Sequence, residues 1–273
     1  MNDLALSPKN KDQVDKIATS LPQSLILSIS DFEWGVQIAK YLAKLSGFDF
    51  EIIYPIKNDE IDLVSGRITT SQARKLTYLA NTSSKKSKIY IIYNADRMME
   101  QAQNAFLKTF EEPNKTTFFV LLVNNRHSLL PTIISRSQTL NVNNLSSEEI
   151  LRLIPSNIDS AIRNQILFIS DGNPVVARYL LNNPEEIKDY SKSIVAAKEF
   201  LNLNTYQKII LLNKYKDSRE EAIAMLDSLV KILQTTIKDS DKKLLILLNK
   251  TLDARNALKA NFNVRLTLMH YLI

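Results

Sequence analysis

Three short runs along the chain are apolar at almost every position rather than at alternate ones: Leu25–Ile29 (LILSI), Ile89–Tyr93 (IYIIY) and Phe118–Val123 (FFVLLV). They are rich in β-branched and aromatic residues, and continuous apolarity marks strands covered on both faces, as in a parallel sheet. Between the last two runs the pattern changes to helical spacing. Asp96–Glu112 places Ala102, Ala105, Phe106, Thr109 and Phe110 on one face before Pro113 stops it. Strands alternating with helices predict an α/β layer domain over residues 1–142.

After Asn141 no further strand-like run follows, and the rest reads as helices. Ser146 and Glu149 supply the two ends of a capping box. A helix over Ser160–Ser170 ends near Gly172, and Asn173 and Pro174 read as N-cap and first-turn proline of the next, to about Leu181. Asn182-Asn183-Pro184 starts a boundary region. From about Tyr190 amphipathic runs succeed one another: Ile194–Leu203, Tyr206–Tyr215, Glu220–Lys238, Lys242–Ala260 and Arg265–Ile273. The fold class expected is α/β plus all-α: an α/β domain (1–142), a small helical domain (143–187) and a helical C-terminal domain (188–273).

Composition narrows the chemistry. At 273 residues, 45% of them apolar, the chain can bury more than one core. No stretch approaches the roughly 18 consecutive apolar residues of a membrane span. The segment MNDLALSPKNKDQ lacks the basic-then-apolar order of a signal peptide, so a soluble, cytoplasmic protein is expected. Cysteine is absent, which removes disulfides, thiol nucleophiles and cysteine zinc sites, and the two histidines, His127 and His270, are far apart. The net charge of +6 is concentrated: residues 191–273 hold 14 Lys/Arg against 8 Asp/Glu. That excess suits either a polyanionic neighbour such as nucleic acid or a solvated helical surface.

A search for conventional enzyme motifs finds no GxxxxGK[ST], HExxH or GxSxG pattern. The adjacent carboxylates at Asp59-Glu60, Glu111-Glu112 and Glu148-Glu149 read as caps and helix-end charges rather than catalytic dyads. His127 follows a strand and reads as a solvated loop histidine rather than a base. Lys85-Lys86-Lys88 reads as a solvated loop rather than a DNA contact.

The informative block is Lys88–Asn141. It contains Ala95-Asp96-Arg97-Met98, then Asn104-Ala105-Phe106-Leu107-Lys108-Thr109-Phe110-Glu111-Glu112-Pro113, then Leu130-Pro131-Thr132-Ile133 and Ser135-Arg136-Ser137. In content and order this block resembles the clamp-loader branch of the AAA+ ATPases, and within it the delta-prime subunits of bacterial DNA polymerase III. The resemblance implies an AAA+-like parallel-sheet domain, a helical lid and a helical collar domain that packs into a ring.

Aligned on that family, Leu21–Leu45 covers the phosphate-binding strand, loop and helix. Where working members have GPPGIGKT, this chain has Ile29-Ser30-Asp31-Phe32-Glu33-Trp34-Gly35-Val36. A phosphate cradle needs converging backbone N–H groups, a lysine for the phosphates and a hydroxyl for magnesium. Here Asp31 and Glu33 would repel a triphosphate, Gly35 takes the lysine position and Val36 the hydroxyl position. Tyr93-Asn94 replaces the Asp-Glu that ends the second catalytic strand. Val175, in Gly172-Asn173-Pro174-Val175-Val176-Ala177, replaces the sensor-2 arginine, and Asn124 at the sensor-1 position reads as structural. The expectation is a chain with no cofactor and no metal, inert as an isolated enzyme.

Arg136 matches the family's arginine finger, which reaches ATP bound by a neighbouring subunit, with Ser135 in support. A guanidinium suits that role through its permanent charge and its planar fork. Ser137 departs from the family's cysteine, and the four-cysteine zinc module of many relatives is missing, leaving Gly47–Arg67 as a plain strand and loop. Arg255–Leu258 and Asn261–Ile273 look like the last collar helices, with Val264, Leu266, Leu268, Met269 and Leu272 as their apolar stripe. The resemblance implies as partners gamma/tau-type ATPase subunits and a delta subunit, with the sliding clamp and primer–template DNA reached through the complex. Two rival readings are a divergent ATPase with a rearranged loop, and a DNA-binding or adaptor protein acting outside a clamp loader.

Overall fold

The structure, a computed structural model, describes residues 4–81, 86–111, 114–237 and 241–273. The chain divides into two compact units, residues 1–158 with 170–179, and residues 159–169 with 180–273.

The first unit is built on five parallel strands: β1 (Ser24–Ser28), β2 (Asp49–Ile53), β5 (Lys88–Ile92), β6 (Thr117–Val123) and β7 (Gln138–Asn141). Their order is β2-β5-β6-β1-β7, with the apolar runs in the middle and the more polar β2 and β7 at the edges. The registers Leu25↔Val120 and Leu25↔Gln138 tie β1 to both neighbours. Successive residues of the inner strands enter opposite cores. Leu25, Leu27, Ile89, Ile91, Val120 and Leu122 meet α1 (Pro8–Thr19) and α2 (Phe32–Ser46). Ile26, Tyr90, Ile92, Phe119, Leu121 and Val123 meet α3 (Thr70–Asn81), α4 (Glu100–Glu111) and α5 (Pro131–Ser135). With both faces covered, the central positions of the inner strands are apolar on both sides, which is why these runs do not alternate.

Several boundaries differ from the sequence reading. The helix expected over Asp96–Glu112 is a 3-10 turn at Ala95–Arg97 followed by α4, and Asp96 lies in the turn. Glu112, Pro113 and Lys85 lie outside the described residues. Gly47–Arg67 holds β2 and a miniature antiparallel pair, β3 (Ile56–Lys57) with β4 (Glu60–Ile61). Its two-residue turn, Asn58-Asp59, has φ of 52° and 64°, the left-handed pair that a tight hairpin requires. Lys88 stands in β5 rather than in a loop, bridged to Glu51 of β2 and over the Tyr90 ring. Near the end of this unit α6 (Ser147–Leu153) carries the expected Ser146/Glu149 capping box in full.

The second unit is helical. It comprises most of α7 (Ser160–Ser170), the end of α8 (Pro174–Asn182), then α9 (Pro184–Asn202), α10 (Thr205–Asn213), α11 (Arg219–Thr236), α12 (Lys242–Lys259) and α13 (Val264–Leu272). At Asn182-Asn183-Pro184 a single residue separates α8 from α9, and Pro184 sits at the first turn of α9, where its missing N–H costs nothing. The core gathers Phe200 of α9, Leu212 of α10, Leu226, Leu229 and Leu233 of α11, Ala254 and Leu258 of α12, and Leu268 of α13. Val264, Leu268 and Leu272 of the C-terminal stripe are core, whereas Leu266 is exposed. Among the described residues no helix is long and apolar enough to cross a membrane.

Phe106 is fully buried under the sheet, its ring edge-on to Phe119 at 5.7 Å. Phe106→Ala is expected to destabilise the protein by about 3–5 kcal/mol, read by urea denaturation.

Candidate functional site

The parallel sheet has two ends, and they carry different chemistry. At the C-terminal end, β1 passes into α2 through only three residues, Ile29-Ser30-Asp31. Asp31 is the N-cap of α2, its Oδ1 accepting from the Trp34 amide at 2.8 Å. Its Oδ2 accepts from the Asn173 side chain at 2.8 Å. Asn173 in turn caps α8, its Oδ1 accepting from the Val175 and Val176 amides at 2.9 and 3.3 Å. A carboxylate and a carboxamide thus join two helix N-termini, the place where backbone N–H groups favour negative charge. The protein's own Asp31 supplies that charge. Beside it Ser30 donates to Asn144 at 3.0 Å, and Asn144 donates to the Asp171 carbonyl at 2.7 Å.

The rest of the loop folds inward. Trp34 is buried and donates through Nε1 to the Ala5 carbonyl at 3.1 Å. Gly35 lies tight on the sheet: a Cβ there would stand 3.1 Å from Leu122 Cδ2 and 3.2 Å from Ile29 Cγ2. The position that the resemblance equates with a phosphate lysine is therefore a point of close helix–sheet approach. Val175 packs against the same core. Gly172, with φ of 77°, could not carry a side chain, since a Cβ would meet the Leu145 carbonyl at 2.2 Å.

At the end of β5, Tyr93 is buried with its ring 5.4 Å from Phe32 and 5.3 Å from Tyr54. Burial, reinforced by the negative charge of Glu33 and a hydrogen bond to it, pushes the Tyr93 phenol up to about 12. Asn94 follows in the left-handed region, φ 51°. A polar cleft of about 470 Å³ opens nearby at the ends of β1, β6 and β7, with Ser30, Asn124 and Asn141 in its walls and Lys9 its one lining cation. Among the described residues no three His, Asp or Glu side chains converge to hold a metal ion.

The N-terminal end of the sheet carries Arg136. It is the C-cap of α5, two residues before β7, and is exposed. Its Nη1 donates to the Thr132 carbonyl at 3.2 Å, and Ser135 Oγ donates to the same carbonyl at 3.1 Å. Ser137 is anchored: its hydroxyl donates to the Ile133 carbonyl at 2.8 Å and lies 2.6 Å from Ser24 Oγ at the start of β1. Leu25 pairs with Gln138 and Ser28 with Asn141, so the Arg136 and Asp31 ends are separated by at least that paired length, about 10 Å at 3.3 Å per residue. The sequence-derived candidates Ser135 and Arg136 come together. Neither joins the residues of the degenerate loop.

Two residues whose roles the sequence did not disclose hold this arrangement. Asp96 accepts from the Asn124 amide at 2.7 Å, the Asn125 amide at 3.0 Å and the Ser128 hydroxyl at 2.8 Å. Asn124 is thus tied through its backbone, and His127 is exposed in the turn that Asp96 holds. Gln103 is buried; its Nε2 donates to the Met98 and Ser128 carbonyls, each at 3.1 Å, and its Oε1 accepts from the Leu130 amide at 2.7 Å. Leu130 is the residue before α5, so Gln103 fixes where the Arg136 helix begins. A glutamine on the core side of an amphipathic helix was the available signal.

Comparison with known proteins bears on both ends. Residues 35–146 match the family described as DNA polymerase III, delta subunit. The chain is 38% identical over 102 residues to DNA polymerase III subunit delta-prime of Bacillus subtilis, and 32% identical over 125 residues to the subunit of that name from Haemophilus influenzae. The matched region is thus similar to part of the delta-prime subunits of DNA polymerase III. These alignments cover 37% and 43% of this chain but only 27% and 38% of the two relatives' own lengths. For the rest of the chain the fold speaks. A DNA polymerase III gamma subunit-related protein of Thermotoga maritima superposes with a TM-score of 0.62 at 20% identity, covering 96% of each chain. The fold is that of an AAA+ protein with added helices, and the delta-prime match lies on its sheet domain.

Two outcomes follow from the C-terminal end. Asp31→Ala removes a helix cap and leaves Asn173 without its acceptor, and is expected to destabilise by about 2 kcal/mol; a double-mutant cycle with Asn173→Ala should show clear non-additivity. Tyr93 titrates later folded than unfolded, so its contribution to stability is complete below about pH 10, its unfolded range, and is lost as pH rises through about 12. Absorbance titration should show a phenol ionising near 12 that Tyr93→Phe removes.

Proposed function

We propose that the chain is a non-hydrolysing clamp-loader subunit of a bacterial DNA polymerase III, acting in the cytoplasm. In this reading it docks beside a gamma/tau-type ATPase subunit, works with a delta subunit, and helps place the sliding clamp on primer–template DNA. Residues 1–142, 143–187 and 188–273 serve as the AAA+-like, lid and collar parts, with the passage from lid to collar running through α9. ATP and magnesium act at the neighbour's site. This chain binds neither, and it contributes Arg136 as the finger, with Ser135 beside it.

The observation that carries the reading is the separation of the two ends. Arg136 is presented at the surface about a strand length from the loop that would be its own nucleotide site, so a phosphate it serves must belong to another chain. At the other end Asp31 occupies the anion position, Gly35 offers no cation, and the Phe32, Tyr54 and Tyr93 rings pack together beside it. Guanidinium stabilises charge developing on a transferred phosphoryl group, and such fingers contribute about 10³–10⁵ in rate at the site they serve. Exposed Leu245 and Ile246 on α12 and Leu266 on α13 suit a collar that packs against other subunits.

The decisive measurement is ATP turnover by a reconstituted complex of cognate gamma/tau and delta subunits, clamp and primed DNA. With Arg136→Ala the complex should assemble normally yet lose the DNA-stimulated turnover of the adjoining site. Arg136→Lys should not restore it, because a point charge lacks the planar fork. Unchanged turnover would remove the finger role, and failure to enter the complex would remove the clamp-loader reading itself.

A further inference from the structure

In the helical unit α7, α9 and α10 leave between them a groove of about 760 Å³. Its floor is apolar and buried, formed by Ile187, Ala196 and Leu211. Its walls expose what a soluble surface normally hides: Ile162 is 39% and Val195 55% accessible. Along α9, Lys188, Lys192, Val195 and Glu199 follow one another at steps of four, three and four residues, so a single face of that helix forms one bank. That bank runs about 16 Å at 1.5 Å per residue. Lys214, just beyond α10, lines the groove as well.

The charge of the lining is unbalanced, with three ammonium groups and the single carboxylate of Glu199. Lys192 is joined to Asp189 at 2.7 Å, a solvent-exposed pair that other carboxylates can replace at little cost.

We propose that this groove docks an acidic amphipathic helix of another protein. Such a helix would seat apolar residues spaced by three and four between Ile162 and Val195, and set its carboxylates against Lys188, Lys192 and Lys214. The length fits about three helical turns, and helix-in-groove recognition uses this combination of apolar anchors and charged flanks. A second copy of the chain suits the site poorly, because a two-fold contact would face the lysine bank with itself. The inference does not depend on the clamp-loader reading, since it rests on the helical unit alone.

The test uses the whole chain and a fluorescein-labelled sixteen-residue helical peptide, with leucines at the anchor spacing and glutamates elsewhere. A twin peptide carries lysines in place of the glutamates. Fluorescence anisotropy should show saturable binding of the glutamate peptide, weakening as salt rises, and much weaker binding of the twin. Val195→Glu, at an exposed position that leaves the core intact, should weaken the glutamate peptide about tenfold or more. Lys188→Glu with Lys192→Glu should reverse the preference between the peptides, and circular dichroism confirms that each variant is folded. No saturation, equal binding of the two peptides, or indifference to Val195→Glu overturns the proposal. So does a concentration-dependent dimer that Val195→Glu abolishes, which would assign the groove to a second copy.

Discussion

The burial of β1, β5 and β6 on both faces constrains everything else in the first unit. Side chains of alternate parity enter two separate cores, so the middle of an inner strand is apolar and its polar residues, Ser24, Ser28, Lys88 and Thr117, stand at the strand ends. All chemistry is displaced to the ends of the strands. The polar loops after β1, β5 and β6 sit at one end, and the turn from α5 into β7 sits at the other. A parallel sheet makes these ends inequivalent, and the separation of Asp31 from Arg136 follows directly.

What happens at the C-terminal end is a substitution of charge rather than its loss. A helix N-terminus gathers unpaired N–H groups that favour an anion. Here Asp31 is that anion, and Asn173 extends the same device to α8, so two helix starts are satisfied by covalently attached groups. Nothing need arrive from solution to complete them. Tyr93 lies in the same negative neighbourhood, and its raised ionisation range reflects burial first and the adjoining Glu33 second. A phosphate approaching this corner would meet Asp31 and Glu33 with no lysine from the loop to offset them.

Much of this was legible in the sequence, and the gaps have physical causes. The three inner strands could be read because double burial keeps their central positions apolar, and the capping box at Ser146 because its two side chains have few other uses three residues apart. The edge strand β7, Gln138–Asn141, escaped notice because one flank faces solvent and its polar composition reads as loop. Helices α1 and α3 escaped for a related reason: each buries a narrow stripe, and neither has an apolar run to announce it. Asp96 was expected inside a helix, but its carboxylate finds three donors in the turn after β6, which outweigh continuation of the helix. Long-range bonds of this kind, across 28 to 32 residues, are invisible to any local pattern.

The same long-range bonds hold the block Asp96–Ser137 together. Asp96 secures the turn after β6, and Gln103 spans from the turn before α4 to Ser128 and Leu130. Leu130 opens α5, and α5 ends on Ser135 and Arg136, whose side chains share the Thr132 carbonyl. Ser137 then pins the exit from α5 to the start of β1 through Ser24. From Asp96 to Ser137 the polar side chains thus form a continuous mount for one exposed guanidinium. A short helix such as α5 has little intrinsic stability and depends on its anchoring. Without Gln103 at one end and Ser137 at the other, Arg136 would be displayed on a fraying turn. With them both ends of α5 are tied down, and the backbone that carries Arg136 is held relative to the sheet.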